Sequence, residues 1–168
     1  FGGRSAEHDV SIVTAIASII KPLELTKKYK IEPVYIAQDG AWYWDQKLAD
    51  IALFSSGGIS EYIKKTQPSS VQFDGGMTLT RQSGLRKFSQ KIDIVFPAMH
   101  GTYGEDGALM GLLEMSGVAY VGCGVSASAV AMDKGLSKQI ADNIGIPVSK
   151  YKLINKSDFE KNTKPHLD

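Results

Sequence analysis

Cysteine is nearly absent from this 168-residue sequence, in which Cys123 stands alone. A single cysteine excludes a disulfide within the chain and leaves no cysteine cluster for a structural zinc. This usage favours a reducing compartment, and we expect a cytoplasmic protein.

The sequence also lacks an excess of either charge, because 19 basic and 18 acidic residues give a net charge of +1. Such a balance predicts neither a nucleic-acid groove nor a membrane-surface patch. The apolar runs are too short to cross a bilayer, and residues 1–8 lack the apolar segment of a secretory signal. With 43% hydrophobic residues, the composition suits one globular core and the start of a second domain.

Two common nucleotide motifs are absent as well. The sequence has no G-x-G-x-x-G fingerprint, which disfavours a nicotinamide-dependent oxidoreductase, a reading that an NADH titration would test. It has no glycine-rich loop followed by Gly-Lys-Ser/Thr, so it is not a P-loop protein.

Alternating helix and strand signals predict an α/β fold. Ser5 is a candidate cap for a helix over 5–21 that Pro22 ends. A further helix is predicted at 107–116, ended by Gly117. The predicted strands are 31–37, a hairpin arm from Trp42–Trp44, a buried parallel strand 92–96, and 118–121. Two βαβ units follow from this order, and they favour an open parallel sheet.

Glycine residues and helix-capping residues indicate where the remaining segments begin and end. Gly2-Gly3 is expected to close a strand that precedes it, and 45–90 is predicted to be irregular apart from a strand at Met77–Thr80. A domain boundary is placed at Gly122–Gly124. The predicted second-domain elements are a helix capped by Asp133 with Leu136, Ile140 and Ile144 inward, a strand Ser149–Ile154, a helix from Ser157, and an unstructured end at 162–168.

A glycine-rich turn at the front carries the first candidate residue, Glu7. Gly2 and Gly3 allow the backbone to approach a ligand at the carboxyl edge of a parallel sheet, where ligands bind in such folds. Glu7 then lies in the first helical turn. There it either complements the helix dipole or holds the ammonium group of a ligand.

A second polar loop, 97–106, follows the strand 92–96 and contains His100. A lone histidine in a fold is often structural, but the carboxyl end of a strand is where a functional one would lie. Glu105 and Asp106 favour capping of the next helix over an acid–base pair, because adjacent side chains diverge.

Lys134 follows Asp133 in the first turn of a predicted helix, where the dipole disfavours a cation. The position is either a solvated lysine or one that faces an anion bound at the helix start.

Together these segments resemble the D-alanine–D-alanine ligases. The opening motif is Gly2-Gly3-Arg4-Ser5-Ala6-Glu7-His8-Asp9-Val10-Ser11. The second is His100-Gly101-Thr102-Tyr103-Gly104-Glu105-Asp106-Gly107, continued by Gly111-Leu112-Leu113-Glu114. The third runs from Tyr120 through Val125, with Ser128-Ala129 and Met132-Asp133-Lys134. They follow the family's order over about 1–40 and 92–154.

The resemblance implies an ATP-grasp enzyme. Residues 1–122 would form its Rossmann-like, D-alanine-binding domain, and 123–168 would begin the central ATP-grasp domain. ATP would phosphorylate one D-alanine, and the amine of a second would attack the acyl phosphate to give the dipeptide for peptidoglycan. Two Mg²⁺ ions would offset the phosphate charge. Their ligands, with other ATP-binding groups, fall beyond residue 168, so the 168 residues alone are expected to be inactive and no metal ligand is assigned among them.

The resemblance also implies residue roles. Glu7 would bind the ammonium group of the first D-alanine, Val10 would contact its methyl group, and Ser11 would support that pocket. His100 would orient the first D-alanine and stabilise charge on its acyl phosphate. Lys134 would contact an ATP phosphate. The loop-shaping glycines would be Gly2, Gly3, Gly101, Gly104 and Gly107.

Two alternatives stay open at this stage. One is a D-alanine–D-lactate or D-alanine–D-serine ligase, which would share the first pocket and differ at the second. The other is a non-catalytic Rossmann-like module that binds an amino acid through Glu7. The expected partners are D-alanine, ATP and a second copy in a homodimer.

Overall fold

The computed structural model describes residues 1–161 and divides the chain into two compact units, Phe1–Met132 and a second unit that begins at Asp133. The end predicted to be unstructured, 162–168, lies outside the described residues. The domain boundary placed after residue 122 stays a prediction, because a compact unit need not coincide with a domain of the family.

A long helical segment opens the first unit. Its parts are α1 (His8–Val13), a π-helix (Thr14–Ile20) and α2 (Lys21–Thr26). It starts later than predicted because the Ser5 hydroxyl accepts the N–H of Glu7 in a turn that precedes the helix. The prediction that Pro22 ends the helix is wrong. Pro22 lies in the first turn of α2, where its missing N–H is tolerated, and the helix ends at Lys27 with φ +55°.

The predicted hairpin follows the helix. β1 (Val34–Ile36) pairs antiparallel with β2 (Trp42–Trp44), and Gly40 turns the chain between them at φ +92°. On the other side of β1, the first residues run parallel to it. The Ile36 N–H donates to the Phe1 carbonyl (2.8 Å), and the Gly3 N–H donates to the Ile36 carbonyl (2.7 Å). Residues 1–3 therefore form a parallel edge beside β1.

The segment 45–90 is regular, so the prediction of irregular structure there is wrong. It contains a 3₁₀ helix (Gln46–Ala49), α3 (Ile51–Ser55), α4 (Gly58–Lys65), β3 (Ser70–Phe73), β4 (Met77–Ser83) and β5 (Arg86–Ile92). The three strands form an antiparallel sheet in the order β3-β4-β5. Met77 and Leu79 are buried on one face of β4, while Thr78 and Thr80 alternate with them.

A second βαβ unit is confirmed after this sheet. It consists of β6 (Ile94–Val95), α5 (Ala108–Ser116) and β7 (Ala119–Tyr120), with the two strands parallel, and α6 (Val125–Met132) follows. The predicted strand 92–96 is shorter and less buried than expected. Ile92 pairs with Met77 in the antiparallel sheet, and the side chains of Ile94 and Phe96 are about half exposed. The fold is therefore α/β with mixed sheets.

Two apolar clusters stabilise the first unit. One joins the long helix to the hairpin and to the 3₁₀ helix through Ile16, Tyr35 and Leu48. The other packs β4 against α5 through Leu79 and Leu113. The edges of β1 and β6 line an apolar cleft of about 630 Å³. Burial of these side chains is the main stabilising contribution to the unit.

The second unit, over its described part, contains α7 (Lys134–Asn143) and α8 (Lys156–Lys161). Asp133 caps α7 as predicted, since its carboxylate accepts the N–H of Leu136 (2.9 Å). The prediction of a strand at Ser149–Ile154 is wrong, because these described residues have neither helix nor strand structure. The three residues of α7 that are predicted to point inward are 41% to 64% exposed. They are Leu136, Ile140 and Ile144.

Among residues 1–161, the structure contains no helix with the length and apolar character needed to cross a membrane.

Candidate functional site

The glycine turn at the front is fixed by Ser11, which is fully buried. Its hydroxyl accepts the N–H of Gly2 and donates to the carbonyl of Ala98, each at 2.6 Å. Gly2 and Gly3 have φ of +90° and +96°, a region that favours glycine. Ser11 therefore joins the glycine turn to the start of the second loop.

A second link joins the two loops near His100. The Ser5 hydroxyl donates to the His100 carbonyl at 2.7 Å. Gly101 has φ +70°, and a Cβ there would lie only 2.8 Å from the Ser5 hydroxyl oxygen. The close approach of the loops therefore requires glycine at this position. The sequence predicts a helix cap at Ser5 and gives no local sign of this link between residues 5 and 100.

Met99 fills the space between the two loops. A Cβ on Gly3 would overlap the end of the Met99 side chain, and a Cβ on Gly104 would overlap its Cβ. Real Cβ atoms do not approach other atoms so closely, so both glycines make room for one methionine. Gly107, at the start of α5 with φ +90°, likewise leaves room for the carbonyl of Val125.

The structure brings Glu7 and His100 together. One ligand atom from each, with one from Glu105, all lie within 4.8 Å of one another. Glu7 and Glu105 are exposed, and His100 is partly buried. Two carboxylates and an imidazole at this spacing are able to hold a cation, whether a metal ion or the ammonium group of an amino acid.

Glu105 and Asp106 have separate roles, as their adjacency suggested. Asp106 precedes the N-cap residue Gly107 and accepts the N–H of Ala108, the first residue of α5, at 3.0 Å. The interpretation of Glu105 as a cap is wrong. Its carboxylate accepts the N–H of Gly101 (2.7 Å) and lies 3.9 Å from His100 Nδ1. The tight Gly101–Gly104 turn directs Glu105 back toward His100. In the sequence, the short separation between His100 and Glu105 is the signal that could have predicted this contact.

The remaining predicted site residues, Val10 and Lys134, are both exposed. Val10 is exposed on α1, which leaves its side chain open to a ligand. Lys134 is the first residue of α7 and is exposed. Lys134 belongs to the second compact unit, and the two loops belong to the first.

A buried pair of side chains, His8 and Tyr35, lies behind the first loop, and no local sequence pattern predicts it. His8 Nδ1 lies 2.5 Å from the Gly3 carbonyl, which only accepts, so this nitrogen carries the proton. Nε2 then accepts from the Tyr35 hydroxyl at 3.0 Å. Burial raises the pKa of Tyr35 to about 12, with smaller contributions from Asp9 and Asp39.

This shift predicts alkaline destabilisation through Tyr35. The pKa is raised above its usual value of 10, so folding favours the protonated phenol. The stabilisation is complete below pH 10 and is lost as the pH rises from 10 to 12. Urea unfolding at several pH values should show a steeper loss in this range for the parent chain than for Tyr35→Phe. Equal pH dependence in the two proteins would contradict the assignment.

Comparisons with known proteins show which family the chain resembles. The family described as "D-ala D-ala ligase N-terminus" matches residues 1–123. A curated D-alanine–D-alanine ligase from Chloroherpeton thalassium is 39% identical over 165 residues, which cover 96% of this chain and 44% of that protein.

Two solved structures are similar to the chain. The D-alanine–D-alanine ligase from Helicobacter pylori has a TM-score of 0.76 and 30% identity, over 100% of this chain and 49% of that one. The VanG D-Ala:D-Ser ligase from Enterococcus faecalis has a TM-score of 0.67 and 32% identity, over 99% and 48%. The chain thus spans less than half the length of these relatives. Because the family match covers most of the sequence, the chain belongs to the D-alanine–D-alanine ligase family, in its N-terminal part.

Proposed function

We propose that the whole protein of which this chain is the N-terminal part is an ATP-dependent ligase that joins two D-alanine molecules for peptidoglycan synthesis. The observation that carries the proposal is the cluster of Glu7, His100 and Glu105 at the meeting point of two glycine-rich loops. The family membership of the chain supports the same conclusion.

Glu7 is the group that binds the ammonium of the first D-alanine. Its carboxylate is exposed and lies at the start of α1, and an ion pair there gains strength once a ligand covers it. Val10 is exposed one turn further along the helix, where it contacts the substrate methyl group. Ser11 supports this pocket by fixing Gly2 and Ala98.

His100 lies next to Glu7 and serves the other end of the same substrate, its carboxylate. The imidazole is about 30% exposed, which suits an orienting group that offsets developing negative charge. The two loops act mainly by positioning, which is the dominant contribution in phosphoryl transfer. Gly101, Gly104 and Gly107 allow the second loop to adopt this path.

ATP, when bound, supplies the phosphoryl group that activates the first carboxylate. Lys134 fits a phosphate contact because it is exposed at the start of the ten-residue α7. The described carboxylates are not assigned to Mg²⁺, whose ligands we expect in the C-terminal part. We also propose that residues 1–122 form a Rossmann-like domain and that the following residues begin an ATP-grasp domain. The whole protein is proposed to be a homodimer in the cytoplasm.

The direct test supplies the whole protein with D-alanine, ATP and Mg²⁺, and measures phosphate release and dipeptide by mass spectrometry. We expect phosphate and dipeptide in equal amounts. A non-catalytic binding module would instead bind D-alanine without releasing phosphate, and that result would contradict the proposal.

Acceptor choice is tested in the same assay, because the similarity to a D-Ala:D-Ser ligase makes D-serine a specific second candidate. Each acceptor, D-alanine, D-serine or D-lactate, is supplied with the same first substrate. Formation of D-alanyl-D-alanine far below that of the D-lactate depsipeptide or of D-alanyl-D-serine near neutral pH would reassign the enzyme.

The Lys134 assignment predicts a separate effect on ATP. Lys134→Ala should raise the KM for ATP by about tenfold, since a charge-assisted contact to phosphate is worth roughly 1.5 kcal/mol or more. The KM for D-alanine should change less than twofold. Lys150→Ala, which removes an exposed lysine of the same unit, serves as the control. A change confined to D-alanine would show that Lys134 has no phosphate role.

A further inference from the structure

The N-cap residue of α1 and two residues of the long helical segment face the second loop at helical spacing. Glu7, Ser11 and Thr14 stand at i, i+4 and i+7, so they lie on one face of a helix. Glu7 approaches His100, and Ser11 donates to the carbonyl of Ala98. The Thr14 hydroxyl completes the row, at 2.9 Å from Nε2 of His100.

Both ring nitrogens of His100 therefore lie close to protein groups. Nε2 faces the hydroxyl of Thr14, and Nδ1 lies 3.9 Å from the carboxylate of Glu105. A carboxylate only accepts, so it favours the tautomer in which Nδ1 carries the proton. Nε2 then has a free lone pair, to which the hydroxyl of Thr14 donates.

A hydroxyl is suited to this position because it donates and accepts. When the ring is neutral, Thr14 donates to Nε2, and when the ring is protonated, Nε2–H donates to Thr14. The ring orientation is thus the same in both charge states. Thr14 is also the first residue of the π-helix, and such local irregularities are frequent at functional sites.

We propose that Thr14 is a positioning residue that holds the His100 imidazole at its Nε2 atom, so that His100 acts through its fixed location and not as a proton shuttle. The mechanistic part of this statement rests on the function proposed above. The contact itself is a property of the chain and is tested independently of catalysis.

The matched substitutions are Thr14→Val and Thr14→Ser. Valine keeps the size and the β-branch of threonine but lacks the hydroxyl, whereas serine keeps the hydroxyl. Imidazole ¹⁵N NMR of the 168-residue chain is the first measurement. The sequence contains three histidines, and His100→Gln identifies the signals of His100.

We expect Thr14→Val to move the His100 Nε2 resonance while the amide spectrum stays folded, and Thr14→Ser to restore the parent position. An unchanged Nε2 resonance in Thr14→Val would overturn the proposal. A serine variant that behaves like the valine variant would overturn it as well, because the hydroxyl would then not be the cause.

Kinetics of the whole protein give the second measurement. Thr14→Val should lower kcat for dipeptide formation by about tenfold, the size expected for one lost hydrogen bond, with KM for ATP changed less than twofold. Thr14→Ser should recover the rate. If the unsubstituted protein forms no dipeptide, the proposed function fails, while the NMR result still decides the contact. If dipeptide forms and Thr14→Val is as fast as the parent, the positioning role fails alone.

Discussion

Replacing Glu7 by glutamine should lower kcat/KM for the first D-alanine by about 100-fold, because a hydrogen-bonded ion pair becomes a weaker neutral contact. Glutamine has the same size and leaves the loop geometry intact. The KM for ATP should change less than twofold, since Glu7 is assigned to the amino acid alone. Initial-rate kinetics with each substrate varied in turn measures the two effects.

The matched control for Glu7→Gln is Asp9→Asn. Asp9 is an exposed carboxylate two residues further along, in the first turn of α1, and it lies outside the cluster with His100. Asp9→Asn therefore removes the same charge from the same helix end. Equal losses in the two variants would show a general effect of helix charge, and unchanged D-alanine kinetics in Glu7→Gln would end the assignment.

Replacing Gly2 by alanine should destabilise the chain by about 3 kcal/mol or more, from a left-handed backbone and a steric overlap together. Gly2 has φ +90°, and a Cβ there would overlap the backbone carbonyl of Ile36 and touch the ring of Tyr35. Because a backbone carbonyl within a strand cannot move away cheaply, the overlap forces residues 1–3 from β1. Urea unfolding of the 168-residue chain measures the loss.

Gly57→Ala separates the two causes in Gly2→Ala. Gly57 has φ +75°, so alanine there carries a similar backbone cost, but no atom lies within 4 Å of its Cβ position. We expect Gly57→Ala to cost only about 1 kcal/mol. If both substitutions cost the same, the packing of Gly2 against β1 contributes nothing to stability.

Local signals in the sequence predicted the parts of the fold that depend on neighbouring residues. Gly117 ends α5 in a left-handed conformation, and Asp133 caps α7, because such ends require only the residues of one helical turn. The hairpin of β1 and β2 follows from its own turn. The parts that depend on distant partners were harder to predict.

The segment 45–90 shows this dependence. β5 is largely exposed, and its sequence Arg86–Ile92 has little apolar character, yet it forms a strand because seven residues of β4 pair with it. The converse holds for Ser149–Ile154, where apolar residues have no strand beside them in the described chain. Strand formation is decided by the partner as well as by propensity.

The candidate site shows the same division. The sequence placed Glu7 and His100 in two separate glycine-rich loops, and the structure brings them together. Glu105 and Asp106 carry the same type of side chain, and only the path of the turn shows that Asp106 accepts the first N–H of α5 while Glu105 faces His100. The contact of Thr14 with His100 joins residues 86 positions apart, so no local pattern reveals it.

The packing of Met99 between Gly3 and Gly104 has a consequence for how these loops evolve. A Cβ at position 104 would overlap the Cβ of Met99, which every residue except glycine carries, so a smaller side chain at 99 does not remove the need for glycine at 104. A Cβ at position 3 would overlap only the terminal methyl group of Met99, but the φ of +96° favours glycine there whatever residue stands at 99. Libraries that vary residue 99 should therefore keep both glycines.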